Sequence, residues 1–299
     1  MQPTIVTYPG GSISELARVT NLYDGENGVQ VVVTDVTPFH PLDPWWPDQP
    51  SDRGIINVIG QAWVIDGAVL VGTKQDRSEI RIGDPKGVKR SDPSWSWSVG
   101  HVVFGSPTGK ELINAKCRLE VDPEYRRAIA VGHTACHIAA LALNERLETY
   151  WTKSIVKDSF GRNDFDRAAI VFSRIEEFGS IDRYRIGKGV RKAGFSSDRF
   201  WSDCDTLASE IEVGSNQILN EIASIDVAPD HTPFHARRNW VAVHKNARLQ
   251  IPCGGVHVRN PREIANMNIK LNRQKDQTEF VMETRAAAEL IGGVLSIRR

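Results

Sequence analysis

Residues 122–150 read DPEYRRAIAVGHTACHIAALALNERLETY, and this stretch decides the fold because strand-like text gives way to helical text at its start. Asp122 is an N-cap residue type, Pro123 suits the first helical position, and Glu124 places an acid in the first turn. The apolar residues Ile129, Ala130, Ile138, Leu141 and Ala142 largely recur at steps of three and four, as in a packed helix. A helix is therefore predicted from Asp122 to about Tyr150. Upstream, VQVVVTDV (29–36), IINVIGQAWVID (55–66) and WSWSVGHVVF (95–104) carry β-branched and aromatic residues between Gly, Asp and Pro breaks. Residues 1–121 thus read as a small β-barrel-like N-terminal domain, and residues 122–299 as an α+β domain. Between the strands lies TPFHPLDPWWPDQPSDRG (37–54), whose five prolines exclude a regular helix or a central strand.

Downstream, SDCDTLASEIEVGSNQILNEIASI (202–225) reads as a second amphipathic helix, and NWVAVHKNARLQIPCGGVHV (239–258) as a strand, a turn, a second strand and a glycine turn. The tail from Glu279 begins as a strand or helix and is expected to end helical around TRAAAELIGG. No repeat or low-complexity segment stands out.

With 299 residues and 40% hydrophobic content, the chain can bury a real core. No run approaches the roughly 20 apolar residues of a membrane span. The start, MQPTIVTYPGG, lacks the order of a signal peptide. A soluble, cytoplasmic protein is the expectation. Four well-spaced cysteines, Cys117, Cys136, Cys204 and Cys253, argue for thiols rather than a disulfide framework. Lys plus Arg equals Asp plus Glu at 37 each, so any RNA contact has to come from a local patch.

On the predicted helix, His133 and His137 are four residues apart and project from one face, so both imidazoles can reach one ion. That spacing alone is weak. Cys253-Gly-Gly-Val-His257 adds a thiolate and an imidazole on a turn, and together the four make the donor set zinc favours. Cys136 falls on another helix face and is expected to pack. The pair His231 and His235 is separated by Thr-Pro-Phe and is not expected to be helical.

The segments GHTACHIAALAL and IPCGGVHVRNPREI, with TPFHP and QPSDRG upstream, resemble in order the motifs of the alanyl-tRNA synthetase editing domain and its stand-alone relatives, the AlaX proteins. The resemblance spans about residues 29–285. It implies a β-barrel-like half followed by an α+β editing domain holding one Zn2+ per chain. It also implies hydrolysis, in trans, of the ester joining a wrong amino acid to tRNA, with aminoacyl-tRNA as partner. No membrane or DNA partner is expected, and the oligomeric state is left open. By this resemblance His133, His137 and Gln49 carry the chemistry, His133, His137, Cys253 and His257 hold the metal, and Thr37 and Gln49 meet the amino acid; His40, Trp45 and Trp46, on the same stretch but outside the shared pattern, are expected to meet it as well. Phosphates would be met by Arg183, Arg185, Lys188, Arg191, Lys192, Arg237 and Arg238.

The chain departs from those relatives in three places. Leu42–Asp48 is longer and bulkier than the glycine-rich stretch expected there, and His40 stands where tyrosine is expected. The long spacing between His137 and Cys253 suggests an insertion around 155–200. The bulky loop points to an amino acid other than plain serine or glycine, such as a modified, for instance fluorinated, threonine. Two further readings stay open. One is a non-catalytic tRNA-binding module with a structural zinc, since four protein ligands normally close a site. The other is a zinc hydrolase of small esters or amides, although Thr134 replaces the Glu of H-E-x-x-H.

Overall fold

Asp122 opens the long helix as its sequence suggests: its carboxylate accepts from the backbone N–H groups of Glu124 and Tyr125, each at 3.1 Å. The computed structural model describes residues 2–25, 28–105, 112–245, 247–274 and 278–288. In chain order come β1 (Ile5–Val6), β2 (Ser14–Asp24), β3 (Val29–Thr34), β4 (Val36–Thr37), β5 (Gly54–Val58), β6 (Gln61–Lys74), β7 (Ile80–Ile82), β8 (Trp95–Phe104) and β9 (Lys116–Val121). Then follow α1 (Pro123–Leu147), α2 (Phe165–Ala169), β10 (Ile170–Glu176), β11 (Gly179–Arg185), α3 (Lys188–Lys192) and α4 (Ser197–Glu221). Last are β12 (Ile222–Ala228), β13 (Thr232–Pro233), β14 (Asn239–His244), β15 (Ala247–Pro252), β16 (Ile264–Arg273) and β17 (Glu279–Ala288). The protein is a mixed α+β structure. Packing divides it into two compact units, one of Met1–Arg127, Val227–Asn239 and Pro252–Val256, the other of Ala128–Asp226, Trp240–Ile251 and His257–Arg299.

In the first unit seven strands run in the order β5-β9-β2-β3-β8-β6-β7, and β5 is also hydrogen-bonded to β6. Val19, Val33, Ile65, Leu70, Val99 and Leu119 turn inward and are buried. Gly100 lies opposite Val33, and a Cβ there would come within 2.3 Å of a Val31 methyl, so only glycine lets these strands pack as they do. The proline-rich stretch 37–54 is ordered. Asp52 accepts from the His40 backbone N–H at 2.5 Å and pairs with the buried Arg126, whose guanidinium also donates to the Pro38 carbonyl. A buried carboxylate is costly unless paired and hydrogen-bonded, and Asp52 is both.

The second unit holds a four-stranded sheet, β10-β11-β17-β16, and a three-stranded one, β12-β14-β15. Segment 155–200 contributes β10 and β11 to the larger sheet. Phe165, Tyr184, Phe200 and Phe280 interlock on its buried face, with Phe200 and Phe280 centroids 4.9 Å apart. Gly132, on α1, lies against the turn between β10 and β11, where a Cβ would come within 2.3 Å of the Glu176 carbonyl. The helix carrying His133 is thereby set close to the hairpin.

Two expectations are corrected. The helix sought over 202–225 begins earlier, at Ser197, and ends at Glu221; Ile222–Ile225 open β12, where Ile222, Ile225 and Val227 are buried. Thr284–Ala288 are not helical but continue β17, which is hydrogen-bonded on both edges, to β11 and to β16. Residues 289–293 of that expected helix lie outside the described residues. Among the described residues no helix is long and apolar enough to cross a membrane.

Candidate metal centre

Helix α1 presents His133 and His137 one turn apart, as a four-residue step requires. The segment after β15 turns at Cys253-Gly254-Gly255 and brings His257 back to the same place. One ligand atom from each of His133, His137, Cys253 and His257 lies within 4.8 Å of the others. The ring centroids of His133 and His257 are 4.2 Å apart, and His137 is 4.9 Å from each. Three imidazoles this close repel one another if protonated.

Burial pushes His137 down to about 4, and its Nε2 is buried with no hydrogen-bond partner. Burial, with Asp48 adding, pushes the Cys253 thiol up to about 12. A divalent cation resolves both conditions, since it takes the orphaned lone pair and turns the thiol into a thiolate. The donor set therefore fits zinc, although the distances do not select the metal.

The supporting contacts were not legible beforehand. Thr134 Oγ1 lies 3.2 Å from His257 Nδ1 and accepts from the Val258 N–H, tying α1 to the turn. If His257 binds an ion through Nε2, Thr134 fixes the tautomer that leaves that nitrogen free. The residue that replaces a protease glutamate is thus a support. Trp240, fully buried, packs with its ring centroid 5.4 Å from that of His137 and 6.2 Å from that of His257, tilted against both, and limits how far either ring can rotate. Cys136 lies outside the group of potential ligands among the described residues; its thiol donates to the buried Asp182 carboxylate at 3.6 Å, which also accepts from Ser173 and Ser180.

Gln49 is buried on the proline-rich stretch, and its Oε1 accepts from the Val256 N–H at 2.9 Å, next to the Cys253 turn. Thr37 is fully buried, which alters its expected role. His101 Nδ1 faces the Val32 carbonyl at 2.8 Å and must donate, so Nε2 accepts the Thr37 hydroxyl proton, also at 2.8 Å. The Phe39 N–H donates to the same Thr37 oxygen at 3.1 Å. The hydroxyl is committed inside the unit and has no exposed surface for a substrate. His40 is likewise buried, and burial pushes it down to about 4.

The two loop tryptophans differ. Trp45 is braced, with Nε1 donating to the Val88 carbonyl at 3.0 Å and its ring meeting Trp97 edge-on at 4.6 Å. Trp46 is 53% exposed, and its Nε1 donates to Asp48 at 3.1 Å.

Of the expected phosphate ligands, Arg183 and Arg185 are exposed on β11 and face Glu279; Lys188, Arg191 and Lys192 are exposed on α3; and Arg237 is exposed. Arg238 has to be withdrawn from that set. It is buried, and its guanidinium donates to the carbonyls of Thr232, Pro233, Phe234 and Ala236. His231 and His235 belong to no group of potential metal ligands among the described residues.

No protein-family model matches the chain, and a search of curated proteins finds no match.

Proposed function

We propose that the chain is a zinc-dependent hydrolase that cleaves, in trans, the ester of a mischarged aminoacyl-tRNA in the cytoplasm. The observation that carries this reading is the convergence of His133, His137, Cys253 and His257 within 4.8 Å, on two segments that resemble editing-domain motifs. A bound zinc ion lowers the pKa of water and polarises a carbonyl, the two needs of ester hydrolysis. The chain's own residues prepare for this. Burial keeps the His137 imidazole neutral, Thr134 lies against His257, and Gln49 is aimed by its bond to Val256. Gly254 leaves room beside Cys253, since a Cβ there would meet nothing within 4 Å, so a substrate can approach the backbone. The β5–β6 pairing supports reading the first unit's strands as a small barrel.

One observation favours a second reading. Four protein donors suffice to close a tetrahedral zinc site, which would make the protein a tRNA-binding module with a structural metal. The test is a panel of seryl-, glycyl-, alanyl-, threonyl- and fluorothreonyl-tRNAs, incubated with the protein with and without chelator. Hydrolysis abolished by chelator supports the enzyme. Stoichiometric zinc with every ester left intact supports the module.

A further inference from the structure

Strand β10 is the edge of the sheet β10-β11-β17-β16, and one face of this sheet is buried while the other is open. Asp182, Tyr184, Phe280, Met282 and Thr284 fill the buried face. The open face is read from the register. Phe172 lies opposite Arg183, which lies opposite Val281; two pairs further along, and so on the same face, Arg174 lies opposite Ile181, then Glu283, then Lys270. An exposed aromatic on an edge strand invites aggregation unless it has a use, and Phe172 is 46% exposed. Its neighbours are cationic. The Arg183 guanidinium lies 5.7 Å from the Phe172 ring centroid. The carboxylates of the face are engaged, Glu279 by Arg183 and Arg185, Glu176 by Arg285, and Glu283 by the Asn272 amide. Arg174 and Lys270 are exposed and, among the described residues, form no ion pair.

We propose that this open face binds a single-stranded stretch of RNA, with a base stacked on Phe172 and phosphates met by Arg174, Arg183 and Lys270. Aromatic rings offered on an open sheet beside arginines suit bases whose faces are not already stacked, and the unpaired cations complement the phosphates. A peptide added to the β10 edge would use backbone groups and have no need of Lys270, three strands away. The inference rests on tRNA as the substrate and names the surface that meets it.

The test is a fluorescence-anisotropy titration of labelled, uncharged tRNA with the full chain at several salt concentrations. Phe172→Ala is expected to weaken binding about tenfold and Phe172→Trp to retain it. Combined Arg174→Gln and Lys270→Gln is expected to flatten the slope of log Kd against log salt by about one to two. Circular dichroism and zinc content establish that each variant is folded. If wild type binds and all variants bind equally, the face is wrong while the substrate reading stands. If wild type does not bind tRNA at all, both fail.

Discussion

His101 in the first unit and His137 in the second are both pushed down to about 4 by burial, yet their ring nitrogens are placed differently. Both nitrogens of His101 are used, one by the Val32 carbonyl and one by the Thr37 hydroxyl. His137 keeps a buried Nε2 with no hydrogen-bond partner, and two further imidazoles and a thiol converge beside it. Burial and a displaced pKa therefore do not separate a core histidine from a ligand. The accounting of ring nitrogens does. His40 tests the rule from between: its Nδ1 is also buried without a partner, but it belongs to no group of three or more potential ligands among the described residues.

The largest expected effect breaks or confirms this contrast outright. Combined replacement of His133 and His137 by Ala should take zinc from about one per chain to none, because two ligands leave one face of α1. His101→Ala should lose stability and keep its zinc. Metal analysis by mass spectrometry of the purified proteins decides it, and full occupancy in the double variant would remove α1 from the site.

Acid should expose the cost of keeping the non-ligand histidines neutral. Folded His40 and His101 take a proton only near 4, whereas in the unfolded chain each does so near 6.5. Between those values the unfolded state binds more protons, so stability falls as pH drops through the window and is unaffected by these groups above it. From pH 7 to 5 the loss is about 2 kcal/mol for each histidine. Urea midpoints at pH 7 and pH 5 measure it. His101→Gln should show about half the wild-type difference attributable to the pair; an unchanged difference would mean that His101 does not titrate as buried.

The contrast also marks how much was legible in the sequence. Local signals read well: Asp122 and Pro123 announce α1, and a four-residue step places two histidines on one face wherever a helix forms. The failures are long-range. Thr284–Ala288 contain alanines that favour a helix in isolation, but they become strand because β11 and β16 offer hydrogen bonds on both sides. Ile222–Ile225 read as the end of a helix until β14 takes them as its neighbour. Arg238 looks like a surface cation beside Arg237, and only the folding of the 232–236 carbonyls around it reveals otherwise. His101 and Thr134 carry no motif for their roles, since their partners lie 64 and 123 residues away in sequence.

A smaller effect sharpens the assignment of Thr37. With its proton given to His101 and its oxygen accepting from Phe39, Thr37→Val should cost about 1 kcal/mol of stability or somewhat more, by leaving buried partners unsatisfied. Zinc content should not change. Hydrolysis of seryl- and alanyl-tRNA should fall equally. A selective loss on seryl-tRNA would instead restore Thr37 to the amino-acid pocket.

The smallest effect concerns the tryptophan pair, where a satisfied group and an available one sit side by side. Trp45 has its indole N–H donated to Val88, its ring against Trp97 and the Arg90 guanidinium 6.0 Å from its centroid, so it holds the proline-rich stretch in place. Among the described residues the Trp46 side chain hydrogen-bonds only Asp48, and the residue presents more than half its surface. Asp48 precedes Gln49, whose side chain reaches the Val256 N–H beside the Cys253 turn. The exposed ring is therefore carried by the same short stretch that reaches the metal-binding loop. Trp45→Ala should destabilise the first unit, whereas Trp46→Ala should stay within about 0.5 kcal/mol of wild type and keep its zinc. If Trp46 screens the incoming amino acid, its removal should alter the order in which serine, alanine, threonine and fluorothreonine esters are cleaved. The shift should be graded, about 1 kcal/mol between neighbours in the series, because contact with one added methyl-sized group discriminates no more strongly than that. Competition kinetics on the tRNA panel read the order directly. An order identical to wild type in folded, zinc-loaded Trp46→Ala would assign both tryptophans to structure.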